Sequence, residues 1–333
     1  MKRALPGVLA GAVTLALPAF LDDSALAVYI FLGLAAMVTV GVSLLMGYAG
    51  QVSLGQGAFY AVGAYTAGLL TVQGGPPLAG LLAAPVAAAA FALVVGVPLL
   101  RLRGHHLAFA TLATQLILLS LAGQLEFTGG DIGLQGIPQF SAGSFEVGGA
   151  AGYAYLTWAG LALVMLVTRN VIASRAGRGL RALATSETAA ASSGVPVGRY
   201  KLAVFSLSAA FAGLAGGIYA FYVGYVAPGS FPVLLSVEYI VMAVVGGLGT
   251  VWGAVAGAAV ITLLVQVLNV VGTLPGMPSY APGVLSYAVY ALVLIVVVLF
   301  LPRGLVPSVA GRLPARRGRS RPRAARPDPD LRT

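Results

Sequence analysis

Charge in this chain is confined to short gaps between long apolar runs, and that arrangement leaves one class of fold open. Stretches such as Ala25–Met46, Leu78–Leu100, Leu107–Leu125 and Val251–Val271 contain no charged residue at all. Roughly 18 to 20 consecutive apolar residues suffice to cross the hydrocarbon core of a bilayer as a helix. Only 8% of the residues are charged and 59% are hydrophobic, whereas a soluble domain is about a quarter charged. The expected fold is therefore all-α: a polytopic membrane protein.

The runs give about ten transmembrane helices: Ala4–Leu21, Ala25–Met46, Leu54–Val72, Leu78–Leu100, Leu107–Leu125, Gly149–Thr168, Leu202 to near Tyr222, Tyr239 to about Gly247, Val251–Val271, and about Val284 to Leu301. The eighth is short for a full span, so a tilted or re-entrant element is an alternative there. Alternation from an inside N-terminus puts every Lys and Arg on one side, at positions 2–3, 101–103, 169–201 and from 303 onward. Asp22, Asp23, Glu126, Asp131, Glu146 and Glu238 fall on the other. The excess of Lys and Arg on cytoplasmic loops sets orientation, so both termini are expected in the cytosol. A rival reading of the start takes Lys2-Arg3, the apolar stretch and Ala25-Leu26-Ala27 as a cleaved signal peptide, but the stretch is long for one and two aspartates precede the site.

Residues 1–305 thus form one membrane domain. Residues 306–333 form a basic cytosolic tail, Arg-, Pro- and Ala-rich from Arg312 and expected to be disordered, with arginines able to touch anionic lipid headgroups. The net charge of +10 lies in loops and tail, which argues against nucleic-acid binding. The densest charge is the loop 169–201, with Arg169, Arg175, Arg178, Arg181, Arg199 and Lys201 against the single acid Glu187.

Several chemistries find no residues to perform them. There is no cysteine and no Gly-x-x-x-x-Gly-Lys loop for ATP. His105 and His106 are adjacent and cannot share a metal at i, i+4 spacing. No catalytic set, metal site or cofactor motif is expected, and an enzyme is not. No Asp, Glu, Lys or Arg falls in a span core on this reading, Glu238 standing at the outer end of a helix. Ion-coupled carriers place such a residue at depth. Interior polarity is limited to side chains such as Gln56, Gln115, Gln266 and Asn269. A transporter of this kind is passive or is driven from outside the chain, and the basic loop is where a cytosolic partner could dock.

The stretch Gly47-Tyr48-Ala49-Gly50-Gln51-Val52-Ser53-Leu54-Gly55-Gln56-Gly57-Ala58-Phe59 resembles a signature of the branched-chain amino acid ABC transporter permeases. So do Arg101-Leu102-Arg103-Gly104, Thr128-Gly129-Gly130-Asp131, Ser174–Ala182, Ala212–Gly217, Gly246–Thr250 and Pro302-Arg303-Gly304-Leu305. The resemblance runs from the second span to Leu305 and favours the LivM-type half of the permease pair. It implies import of branched-chain amino acids, or related small amides and urea, across the bacterial inner membrane. It implies two ABC ATPase subunits, a LivH-type second permease and an extracytoplasmic substrate-binding protein as partners.

On that basis Gly47, Tyr48, Gly50, Gln51, Ser53, Gln56, Thr128, Gly129 and Gly130 are candidates for the substrate path. A Gly-rich helix break can line such a path, or can simply let helices pack closely. Gly213-x-x-x-Gly217 and Gly253-x-x-x-Gly257 read as packing pairs. Arg175, Gly177, Arg178, Arg181, Glu187 and Gly194 are candidates for ATPase coupling. A short helix is expected over Leu180–Ala191, Glu187 is the acid left to pair with the ATPase, and Arg169, Arg199 and Lys201 are expected to be membrane-edge anchors. Spans two to five and seven to ten are candidate halves of an inverted repeat. Competing readings are an ATP-independent channel or uniporter for small neutral solutes, and an assembly factor without transport.

Overall fold

A computed structural model describes residues 17–102, 104–142, 145–272, 288, 292, 304 and 305. The first and tenth expected spans lie outside the described residues, apart from the end of the first and residues 288 and 292 of the tenth. Between them the helices are α1 (Asp23–Ala49), α2 (Gln56–Val72), α3 (Pro77–Leu99), α4 (His105–Gln124), α5 (Gly149–Ala173), α6 (Arg175–Thr185), α7 (Glu187–Ser192), α8 (Val197–Val223), α9 (Val233–Gly246) and α10 (Val251–Gly272). Seven candidate membrane spans are found among the described residues. The chain is a polytopic helical membrane protein.

Among the described helices α1, α2 and α8 are the most buried, and the others wrap them. α1 beyond Asp23 and α8 beyond Lys201 carry no charge, as expected of helices enclosed by protein within a membrane. α1 contacts α5, α8, α9 and α10, while α8 lies against α1, α2 and α3. On α3 the buried residues are Gly80, Leu81, Ala84, Ala88, Ala92 and Gly96, a small-residue stripe at i+4 spacing. Leu82, Val86, Val94 and Val97 point outward. The stripe meets the glycines of α8: a Cβ on Gly213 would collide with Ala88, and one on Gly217 would lie 2.9 Å from the Ala84 Cβ. Small residues let the backbones approach, so dispersion replaces the hydrophobic drive that lipid cannot supply. The same holds at Gly246, Gly253 and Gly257, which join α9 to α10 backbone to backbone. The packing reading of both small-residue pairs is the one realised.

The eighth span is longer than expected. α9 begins at Val233, after Pro232 has set the chain extended (φ −60°, ψ 155°), so Glu238 lies inside the helix. Taking Glu238 as a boundary shortened the span in the sequence reading, because a single charge was treated as an end. The loops that follow α4 and α8 meet through a bridge between Leu134 and Val226, with N–H to carbonyl distances of 2.8 and 3.0 Å. Beside it Ser141–Ala142 and Phe145–Glu146 form a two-residue antiparallel pairing.

Candidate translocation path and coupling surface

The Gly-Tyr-Ala-Gly-Gln-Val-Ser stretch is a true break in the helical chain. α1 ends at Gly50, whose φ of +63° is left-handed and whose N–H reaches the Leu45 carbonyl. Residues 51–55 are not helical, and α2 starts at Gln56. The neighbours of this break place it within the membrane. The Leu54 N–H donates to Thr111 Oγ1 at 2.9 Å, and Gly55 packs on the Thr111 carbonyl. The Gly57 N–H donates to Ser236 Oγ at 2.8 Å, Ser236 donates to Gln115 Oε1 at 2.7 Å, and Gln115 Nε2 donates to the Phe231 carbonyl at 3.2 Å. Gln115 is ten residues into α4, about 15 Å along a helix rising 1.5 Å per residue. The first turn of α2 therefore sits near mid-depth.

Non-helical backbone at that depth is tolerated only inside protein or beside a cavity. Gln51, Ser53 and Gln56 are 2%, 1% and 0% exposed. Both amide atoms of Gln51 and Nε2 of Gln56 have no hydrogen-bond partner among the described residues. The Gln56 Oε1 accepts from Ser208 Oγ at 3.5 Å. A buried unsatisfied polar group costs about 1–3 kcal/mol, so two such amides at the two ends of the break mark a place where water or a polar solute belongs.

The second break, between α9 and α10, touches the first. Tyr48 OH donates to the Gly249 carbonyl at 3.0 Å, and the Gly249 N–H donates to Ser43 Oγ at 3.1 Å. Gly47 has no room for a Cβ against the Gly249 backbone. The structure thus groups Gly47, Tyr48, Gly50, Gln51, Ser53 and Gln56. It sets Thr128, Gly129 and Gly130 apart, in the outer loop after α4. There the Thr128 hydroxyl lies 2.6 and 2.7 Å from the Ala122 and Leu125 carbonyls, and Gly129 and Gly130 take φ of +83° and +58°. These three residues close a turn. Ser43, Ser208 and Ser236 escaped the sequence reading; their signal was a lone hydroxyl in an apolar span.

In the basic loop between α5 and α8 the expected single helix is two. α6 ends at Thr185, Ser186 is extended (φ −160°), and its Oγ accepts from the Ala189 N–H at 3.3 Å to cap α7. Ser174 caps α6 through the Gly177 N–H at 3.3 Å. Leu180 and Leu183 are buried, while Arg175, Arg178 and Arg181 are exposed. Gly177 and Gly179 are demanded by close approach, the first to the Ile172 carbonyl and the second to the Tyr200 ring. Arg181 donates to the Ile172 carbonyl at 3.1 Å. Gly194, with φ of +79°, turns the chain into α8. Glu187 pairs within the chain: Lys201 Nζ lies 2.7 Å from its Oε2. Lys201 is thus a partner of α7 and more than an edge anchor, and Glu187 is already engaged. Outside the spans, the Ser24 hydroxyl donates to Asp22 at 2.7 Å and holds that carboxyl below its ordinary range.

With this geometry in view, comparison with known proteins is decisive. Residues 24–298 match the family model described as "Branched-chain amino acid transport system / permease component". The chain belongs to this family. It is 32% identical over 324 residues to the high-affinity branched-chain amino acid transport system permease protein LivM of Salmonella typhimurium, covering 88% of this chain and 71% of that one. The Escherichia coli LivM is likewise 32% identical over 321 residues, covering 87% and 70%. No solved structure matches. As a LivM-type permease, the chain is a component of a transport system rather than an enzyme.

Proposed function

We propose that this permease is one membrane-spanning subunit of an ATP-binding cassette importer in the bacterial inner membrane. It would carry branched-chain amino acids, or related small amides, with energy from separate ATPase subunits. A LivH-type permease would complete the pore and an extracytoplasmic binding protein would deliver substrate. The observation that carries the reading is the α6–α7 pair: two short capped helices at the cytosolic face, presenting Arg175 and Arg178 outward and tied to α8 through Glu187 and Lys201. α8 packs on α1, α2 and α3, so a push on α7 reaches the helices around the break. The orphan amides of Gln51 and Gln56 are the polar lining offered to a zwitterion there. Contact between the two helix breaks is consistent with an inverted repeat; the reading takes ten spans and two cytosolic ends, with residues 1–305 as the transport domain and the remainder as a tail.

The test is Arg175→Glu with Arg178→Glu in the assembled complex. Substrate-stimulated ATP hydrolysis should be lost while the complex still assembles; unchanged stimulation would contradict docking at α6. A second reading, transport without ATP, is favoured by Glu238, a charge inside a span of the kind that couples carriers to ions.

A further inference from the structure

We infer that a cavity on the outer side of the bundle, floored by Glu238, is a binding site for the zwitterionic substrate itself. The inference rests on the proposed amino-acid import and names the site at which the substrate is first held in the membrane. The cavity measures about 360 Å³ and lies between α1, α2, α8, α9 and α10. Ligand pockets begin at about 300 Å³, so the space suits a small molecule. Its level follows from helix positions. Glu238 is five residues beyond the outer start of α9, about 8 Å below it at 1.5 Å per residue, and Gln266 lines the same cavity.

An ionisable side chain at such depth is expensive and marks a substrate or ion pathway. The wall beside it is chemically divided. Glu238 supplies negative charge, and Tyr60, Tyr219 and Tyr239 form an aromatic cluster with ring centroids of Tyr60 at 5.6 Å from Tyr219 and 6.4 Å from Tyr239. Carboxylate and ring faces together suit an ammonium group. The lining also holds Leu34, Ala35, Met242 and Val265, which suit a short branched aliphatic side chain. Gln266 offers an amide donor for the carboxylate. A carboxylate, aromatic faces and aliphatic side chains around one cavity suit an α-amino acid with an aliphatic side chain. Tyr60 is four residues into α2, so the cavity ends one turn from the helix break.

The assembled importer is reconstituted in liposomes with ATP and binding protein, and leucine and glycine uptake are followed. Glu238→Gln should raise the KM for leucine about tenfold at similar kcat, and Glu238→Asp should recover part of that loss. Ala35→Phe, which fills the apolar wall, should cut leucine uptake at least tenfold relative to glycine. Wild-type kinetics in Glu238→Gln together with an unchanged leucine-to-glycine ratio in Ala35→Phe would overturn the site while leaving the importer reading intact. Equal loss of both substrates in Ala35→Phe, with no KM effect of Glu238→Gln, would also overturn it. A wild-type complex that imports no aliphatic amino acid would overturn both the site and the function it rests on.

Discussion

Ser236 is the most informative single residue in the membrane. Its hydroxyl accepts from the Gly57 N–H and donates to Gln115, tying together α2, α4 and α9. The α2 N-terminus has donors that helix geometry leaves unsatisfied, and Ser236 supplies the partner of one of them, the Gly57 N–H. Ser236→Ala should therefore lower stability by about 1–3 kcal/mol, the cost of a buried polar group left without its bond. Thermal unfolding in detergent measures it, and an unchanged midpoint would show that the network is dispensable. Glu187 and Lys201 differ in kind. Their side chains are 47% and 17% exposed, and exposed pairs contribute about 0–1 kcal/mol. Glu187→Lys alone should barely shift unfolding but weaken coupling. Adding Lys201→Glu should restore stimulated ATP hydrolysis, and failure of the swap to rescue would show that the pair does not act through its charge. None of this pairing was legible in sequence, because residues fourteen apart across a turn cannot be matched without knowing that Ser186 breaks the helix.

At the level of helices, sequence was most explicit where lipid is the solvent. Apolar length alone places α1, α3, α4 and α10 to within three residues, whereas α5 and α8 each run five residues beyond their apolar stretch, through Arg169 and through Arg199 and Lys201. It was least explicit where a helix carries a charge. α9 was cut at Glu238 because hydropathy cannot tell a buried functional acid from an interface residue. The Gly-Tyr-Ala-Gly-Gln-Val-Ser break was visible as a run of glycines, yet its depth was not, since depth comes from the partners Thr111 and Gln115. The small-residue stripe of α3 yields a prediction at this scale. Ala88→Leu would push against Gly213 on α8, and overpacking of this sort costs about 1–3 kcal/mol. Lower yield of folded permease and a lower unfolding midpoint are expected, whereas Leu82→Ala, on the exposed side of the same helix, should leave both unchanged.

For the whole molecule, orientation and energy source are the central matters. The absence of cysteine makes single-cysteine labelling clean. A cysteine at Arg178 should react with an impermeant thiol reagent only from the cytosolic side, and one at Phe127 only from the outside; the reverse pattern would invert the topology. Glu238 inside α9 means that the interior is not free of charge. An external energy source is supported instead by membership of the permease family and by the basic α6–α7 face. The most direct measurement is leucine uptake into proteoliposomes holding this chain with its second permease, with and without the ATPase subunits and enclosed ATP. The account predicts accumulation only when ATPase and ATP are both present. Leucine accumulation driven by an ion gradient, or free flux through the permeases alone, would contradict it.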